Sequence, residues 1–478
     1  MTYTYMPASS SAAAPTLGAA FAVYAAASYA VLRRINDVVA QPYMDEIFHV
    51  PQAQRYGQGD FGFWDPKLTT PPGLYLVSTV PAHVLRALGP GGMHVSACST
   101  AYLRTTNWAL SLALFWVLAD IVRLQRPGRS PVVCALTTLG LALFPVSFFL
   151  HHLYYTDTGS LLFVFVCYAL SLRGRHWAAG AAGFAALWFR QTNAVWVAFV
   201  GFAAALRLVQ GRAGVSASSS LKESVFALCR WAVRADRRTL GSVIWLLAPY
   251  VAVVLCFVLF VFVNQGIVLG DKSHHQAGLH VPQMLYFCAY LVGSSAPAFA
   301  NLASPLWFVR AAASRQVIVR PWRSLAAGLA LALFMGLCIK NYTVEHPFLL
   351  SDNRHYPFYI WKNVFRRHWL ARYLAIPLYI YAASAIRHVL SRQTLVLWQL
   401  ALFVCTAAVL VPSPLLEFRY FTVPYYFVRL HARQPSSTRY AVAEIAWFAA
   451  INAATLWVFL YRPFTWQSEP GQLQRFMW

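Results

Sequence analysis

Acidic side chains are the scarcest chemistry in this sequence: 15 of 478 residues are Asp or Glu, and charged residues of both signs amount to 11%. A soluble domain carries about twice that charged fraction, so a fully water-facing surface is excluded. The eight cysteines (Cys98, Cys134, Cys167, Cys229, Cys256, Cys288, Cys338, Cys405) stand singly, mostly inside apolar stretches and never in CxxC or metal-ligand spacing. Neither a disulfide framework nor a zinc site follows from them. No Lys or Arg precedes Arg33. The first apolar run, 16–32, therefore lacks the basic leader of a cleaved signal peptide and reads as a retained span. No internal repeat is visible, and Ala/Ser-rich stretches at 8–14 and 213–220 read as connectors.

What is present is apolar: 59% hydrophobic residues, 16% of the chain aromatic. Runs near the ~20 residues needed to cross a bilayer recur along the whole length, so residues 1–478 read as one membrane-embedded domain with roughly 11 to 14 spans. The formal charge of +23 is dispersed over short loops. It lacks the compact patterning of a nucleic-acid site, and the positive-inside rule accounts for most of it. Arg123/Arg126/Arg129, Arg173/Arg175, the stretch from Arg207 to Arg238 and Arg310/Arg315/Arg320/Arg323 then mark cytosolic loops.

Counting alternately from those loops, the segments near Asp157, Asp271, Asp352 and Glu417 fall on the opposite side. Ten of the fifteen acids collect there: Asp37, Asp45, Glu46, Asp60, Asp65, Asp157, Asp271, Glu345, Asp352 and Glu417. Placing Asp45 in that set requires 71–88 to lie along the membrane surface, which Pro71, Pro72 and Pro81 favour. The rival is that 72–89 spans and Asp45 is cytosolic, as Arg33/Arg34 favour by charge counting. The residues alone leave both open. Beyond Glu417 the apolar stretch to Leu430 is short for a span, and 441–460 is the last clear one.

Asp45 and Glu46, with His49 four residues on, stand directly after the first span. An acidic pair at a membrane boundary is a candidate for chemistry, against the plainer readings of a solvated loop acid or a helix cap. Asp157 lies in Tyr154-Tyr-Thr-Asp-Thr-Gly-Ser160. Phe189-Arg-Gln-Thr-Asn193 places Arg190, Gln191 and Asn193 between two apolar runs. A cation there costs up to a few kcal/mol if unpaired, so Arg190 needs a partner, in Asp157 or a lipid phosphate, unless it snorkels to the interface.

Together with Met44-Asp-Glu-Ile-Phe-His-Val-Pro-Gln-Ala-Gln-Arg-Tyr56, Phe63-Trp-Asp-Pro-Lys-Leu-Thr-Thr70 and Pro72-Gly-Leu-Tyr75, these motifs closely resemble the eukaryotic dolichyl-phosphate-glucose-dependent α-1,2-glucosyltransferases of N-glycan precursor assembly. Gly270-Asp-Lys-Ser273, Asp352-Asn-Arg-His-Tyr356, Leu416-Glu-Phe-Arg-Tyr420 and Arg475-Phe-Met-Trp478 extend the resemblance along almost the whole chain. Gly57 departs from it, where a cysteine is expected.

The resemblance implies an all-α polytopic GT-C glycosyltransferase of the endoplasmic reticulum membrane. Its site would be lumenal, under a first loop (36–101) with interfacial helices, and a second lumenal loop would span 344–369. Its implied partners are dolichyl phosphate glucose as donor, a dolichyl-diphosphate oligosaccharide as acceptor, and membrane lipids. Inverting transfer from a lipid phosphate needs one base and a stabilised leaving phosphate. Fixed Arg and Lys charges can serve a monophosphate, so neither metal nor cofactor is expected.

Because GT-C enzymes in general use the first acid after span one as base, the resemblance implies Asp45 as the general base, with Glu46 as fallback. His49 would tune Asp45 or bind sugar, or be structural. Tyr155 and Asp157 are candidate acceptor contacts, with an N-cap as the plainer role for Asp157. Arg419 is expected to meet the donor phosphate and Glu417 to orient it, unless the two form only a salt bridge. Asp352, Asn353, Arg354 and His355 are candidate sugar contacts in an aromatic-rich loop, and Lys272 a candidate phosphate partner. Competing classes are another polyprenyl-phosphate-sugar transferase and, less favoured, a transporter, which would carry ionisable groups near mid-membrane in repeated halves.

Overall fold

The computed structural model describes residues 13–88, 98–273, 276–312, 321–432 and 438–478. His274, His275, Arg315, Arg320 and most of the 8–14 stretch lie outside the described residues. Among those described, seven helices are long and apolar enough to cross a membrane: 14–38, 100–125, 193–213, 237–264, 325–342, 371–391 and 438–461. Three shorter apolar helices, Pro131–Ala142, Thr156–Leu172 and Val396–Leu410, accompany them. The chain is an all-α multi-pass membrane protein.

Small residues set the helix crossings. A Cβ on Gly180 would stand 2.6 Å from Pro249, and one on Gly201 2.9 Å from Tyr250, so the long helix Arg237–Asn264 approaches two neighbours through these gaps. Pro145 interrupts the apolar run 131–150. It cannot donate to the carbonyl of Leu141, which accepts instead from the Tyr426 hydroxyl at 2.9 Å, while Asn452 donates to Leu143 at 2.8 Å.

Helix Gly73–Leu88 has 16 residues within the described part of the chain. It packs against helix Glu46–Gly57. Gly73 is obligatory at its start, where a Cβ would meet the Trp188 carbonyl oxygen at 2.5 Å. The short stretch after Glu417 also has a physical reason. A 3-10 turn, Phe418–Phe421, leads into helix Thr422–His431, buried at every position from Thr422 to Leu430. It is an internal strut and faces no lipid.

Among the described residues one element is not helical. After the last helix, Thr438–Tyr461, strands β1 (Phe464–Trp466) and β2 (Glu469–Gln474) pair antiparallel, Phe464 opposite Gln474. Pro463 and Pro470-Gly471 stop helix propagation here. Beyond β2 the chain lies alongside His355 as a parallel bridge through Met477.

Candidate active site

Asp45 occupies the N-cap position of helix Glu46–Gly57, but its side chain makes no capping hydrogen bond. The carboxylate is therefore free to point elsewhere. Met44 before it holds φ +56°, a left-handed conformation that costs a non-glycine residue of order 1 kcal/mol and turns the chain sharply at this point. The Asp45 backbone N–H donates to the Tyr155 hydroxyl at 3.1 Å. Its Oδ2 accepts from Arg419 Nη1 at 2.8 Å, whereas Oδ1 has no hydrogen-bond partner among the described residues. The side chain stays 38% exposed.

Glu46 faces the other way and is wholly buried with Arg104. Its Oε1 accepts from Arg104 Nε at 2.8 Å and from the Tyr154 backbone N–H at 2.7 Å. Its Oε2 accepts from Arg104 Nη2 at 2.6 Å and from the Tyr43 N–H at 3.0 Å. Arg104 also donates to Asn36, Val39 and Gln41. One turn on, Asn107 Nδ2 donates to the carbonyls of Leu153 and Tyr155. A single face of helix Thr100–Gln125 thus fastens both acidic loops.

Arg419 sits between two carboxylates, hydrogen-bonded to Glu417 as well as Asp45. A second pair lies alongside: Arg190 Nη2 donates to Asp157 Oδ2 at 2.9 Å, and Arg190 Nε reaches Thr156 Oγ1 at 3.4 Å. Both guanidiniums lie over the ring of Tyr420, Arg190 at 5.8 Å and Arg419 at 5.7 Å, and Arg419 also lies 5.9 Å from the Tyr155 ring. Two cations are therefore held side by side on aromatic faces, each tied to acid.

Burial raises the proton affinity of Asp45, but the Arg419 guanidinium beside it outweighs this and holds the carboxyl below its ordinary value. Glu417 is lowered by the same balance. Burial pushes His49 down to about 4, with Asp45 opposing. Its Nδ1 lies 2.7 Å from the Tyr75 hydroxyl. The centre is a set of ionised carboxylates and guanidiniums beside a neutral imidazole.

A family model described as the DIE2/ALG10 family matches residues 39–430, a range that includes every group in this centre. The chain belongs to that family. Its curated relatives include a rat protein 37% identical over 459 residues, covering 92% of this chain and 93% of the relative, and an Arabidopsis thaliana protein 36% identical over 505 residues, covering 93% and 96%. A Drosophila melanogaster protein is 32% identical over 449 residues, covering 91% and 93%. All three are named Dol-P-Glc:Glc(2)Man(9)GlcNAc(2)-PP-Dol alpha-1,2-glucosyltransferase. No solved structure matches the chain.

In this member of the DIE2/ALG10 family, the sequence-derived candidates separate into two layers. Asp45, His49, Tyr155, Asp157, Arg190, Glu417 and Arg419 converge. Glu46 is spent on Arg104. Gln191 donates to the Thr69 carbonyl at 2.7 Å, and buried Asn193 bonds Ser160 and the Ala186 carbonyl, so both fasten loops. Lys272 donates to the Asn264 carbonyl at a helix end. Its motif is a docking piece: Gly270, at φ +58°, lies so close to 66–68 that a Cβ would meet the Pro66 oxygen at 2.2 Å.

Asp352 and Arg354 form a bidentate pair at 2.8 Å, and Asn353 accepts from Trp466 Nε1 at 2.7 Å. Of that quartet His355 sits within electrostatic reach of Asp45 and Glu417. Arg104, Asn107, Tyr43 and Tyr420 were not singled out from sequence. A signal existed for the first two, since a cation and an amide three residues apart in an apolar helix demand partners.

Proposed function

We propose that the chain transfers glucose from dolichyl phosphate glucose to the diglucosylated oligosaccharide on dolichyl diphosphate, forming the terminal α-1,2 linkage, in the endoplasmic reticulum membrane with Asp45 on the lumenal side. Support comes from the names shared by its relatives and from one feature of the site: Asp45, with one oxygen fixed by Arg419, is the most exposed of the three acids that converge, 38% against 15% for Glu417 and 8% for Asp157. In this reading Asp45 Oδ1 takes the proton from the acceptor's 2-hydroxyl. The acceptor's hydroxyl oxygen bonds to glucose C1 as the C1–O bond to phosphate breaks, and dolichyl phosphate leaves with the electron pair, inverting the anomeric centre.

Arg419 restrains Asp45 and keeps it ionised. Arg190, which has one carboxylate partner and an uncommitted Nη1 among the described residues, is the better placed cation for the departing phosphate. Asp157 orients Arg190. Asp157→Asn is expected to lower transfer about 10- to 100-fold with the donor KM raised, because the pair's charge-assisted bond is worth roughly 1.5–3 kcal/mol. Kinetics at varied donor concentration check this, and an effect confined to the acceptor KM would move Asp157 to the acceptor side.

The pH profile has a defined sign. A base whose pKa is lowered stays competent as pH falls through the ordinary aspartate value near 3.9 and fails only below it. His49, neutral down to about 4, adds no transition near 6.5. Turnover is therefore expected to be flat from about pH 5 to 7. An acid limb near 6 to 6.5 that vanishes in His49→Gln would reassign the base. The decisive assay offers purified protein dolichyl phosphate glucose or its mannose counterpart with a synthetic diglucosylated acceptor. Product from mannose alone, or a linkage other than α-1,2, would overturn the reading.

A further inference from the structure

The last four residues of the sequence lie against the active site. Arg475 Nη1 donates to the carbonyls of Phe459 and Leu460 at 2.8 and 2.9 Å, near the end of the last long helix. The Tyr43 hydroxyl accepts from the Arg475 N–H at 2.6 Å and donates to the Arg475 carbonyl at 2.8 Å. Tyr43 is two residues before Asp45 and hands its own N–H to Glu46. The Met477 N–H donates to the Arg354 carbonyl at 2.8 Å, and the Tyr356 N–H to the Met477 carbonyl at 3.2 Å. The Trp478 ring packs against Tyr356 at 5.1 Å and Phe418 at 6.0 Å, next to Arg419. Four residues thereby tie together the three segments carrying Asp45, His355 and Arg419.

His355 gains a defined orientation from this contact. Its Nδ1 lies 2.9 Å from the Trp478 oxygen, which can only accept, so Nδ1 carries the proton. In the neutral ring the lone pair is then on Nε2. That atom stands 3.9 Å from Asp352 Oδ2, beyond hydrogen-bond distance, and has no hydrogen-bond partner among the described residues; the side chain is 23% exposed. In that tautomer Nε2 offers its lone pair to a hydroxyl proton.

We propose that residues 475–478 are a positioning element of the active site, fixing the turn before Asp45 and the tautomer of His355 so that Nε2 accepts a hydrogen bond from a hydroxyl of a bound hexose. The inference rests on the transferase reading above. The test compares the full chain with one ending at Met477, with Trp478→Phe and with His355→Ala, in glucose transfer at varied donor and acceptor concentrations. Loss of Trp478 is expected to raise the KM of one substrate about tenfold, the worth of one well-placed hydrogen bond, and to change kcat about threefold at most. The substrate whose KM moves identifies the sugar that His355 touches. Trp478→Phe, which keeps the backbone oxygen and an aromatic ring, restores the KM.

His355→Ala should raise the same KM, and its combination with the shortened chain should add nothing, as expected for two changes acting through one contact. Unchanged kinetics in the shortened chain, or fully additive effects, would overturn the proposal. If the shortened chain does not fold, as thermal unfolding in detergent would report, His355→Ala with the tail intact decides: an unchanged KM sinks it. A full chain that transfers no glucose refutes the transferase reading itself. An active full chain indifferent to these changes refutes only this inference.

Discussion

Asp45→Asn is expected to lower kcat by about 10³-fold or more while leaving the protein folded and substrate affinity nearly intact, in line with the 10²–10⁴ that a positioned general base contributes. The substitution is close to isosteric, and an amide oxygen can still accept from Arg419 Nη1, so the local architecture has no reason to collapse. What disappears is the lone pair that takes the acceptor proton. No neighbouring acid is placed to replace it: Glu417 is held by Arg419 and Asp157 by Arg190. Asp45→Glu keeps the carboxylate but carries it one methylene further, so it should lose less, about 10- to 100-fold, as expected when a reacting group is misplaced by ~1 Å. Purified variants assayed with saturating donor and acceptor give both numbers. If Asp45→Asn kept a tenth of wild-type turnover while Glu417→Gln abolished it, the proton acceptor would be Glu417.

The parts of this site legible in the sequence are those where a membrane makes charge expensive. Arg190 between apolar runs had to have a partner, and Asp157, 33 positions away, is that partner. The acids gathered on one side by span counting, and four of them, Asp45, Asp157, Asp352 and Glu417, do lie in or beside one centre. The helical character followed from run length alone. Roles that depend on which neighbour arrives in three dimensions were not legible. Asp45 and Glu46 are adjacent and chemically alike, and only the arrival of Arg104 from 58 residues away separates an open carboxylate from a sealed one. Likewise Asn193, Gln191 and Lys272 carry the right functional groups, but each is consumed by a backbone carbonyl that no local pattern foretells. The β-hairpin escaped because its two strands are short and partly exposed, without the alternation that marks a strand.

Glu46→Gln tests the complementary half of the argument, and its effect should fall on stability. Removing one partner from a buried ion pair leaves an uncompensated charge and costs about 3–5 kcal/mol, a large part of the 5–15 kcal/mol that holds a typical domain together. Here the penalty is aggravated, because the carboxylate also satisfies the backbone N–H groups of Tyr43 and Tyr154. Replacing both partners, as in Glu46→Gln with Arg104→Met, removes the stranded cation. It still strands the Val39 and Gln41 carbonyls that Arg104 served, so rescue should be partial. The expected result is poor accumulation and a lowered melting temperature in detergent, with turnover per folded molecule reduced far less than in Asp45→Asn. A Glu46→Gln protein that melts like wild type yet transfers no glucose would show that the sealed carboxylate becomes exposed during the reaction and would make Glu46 the base.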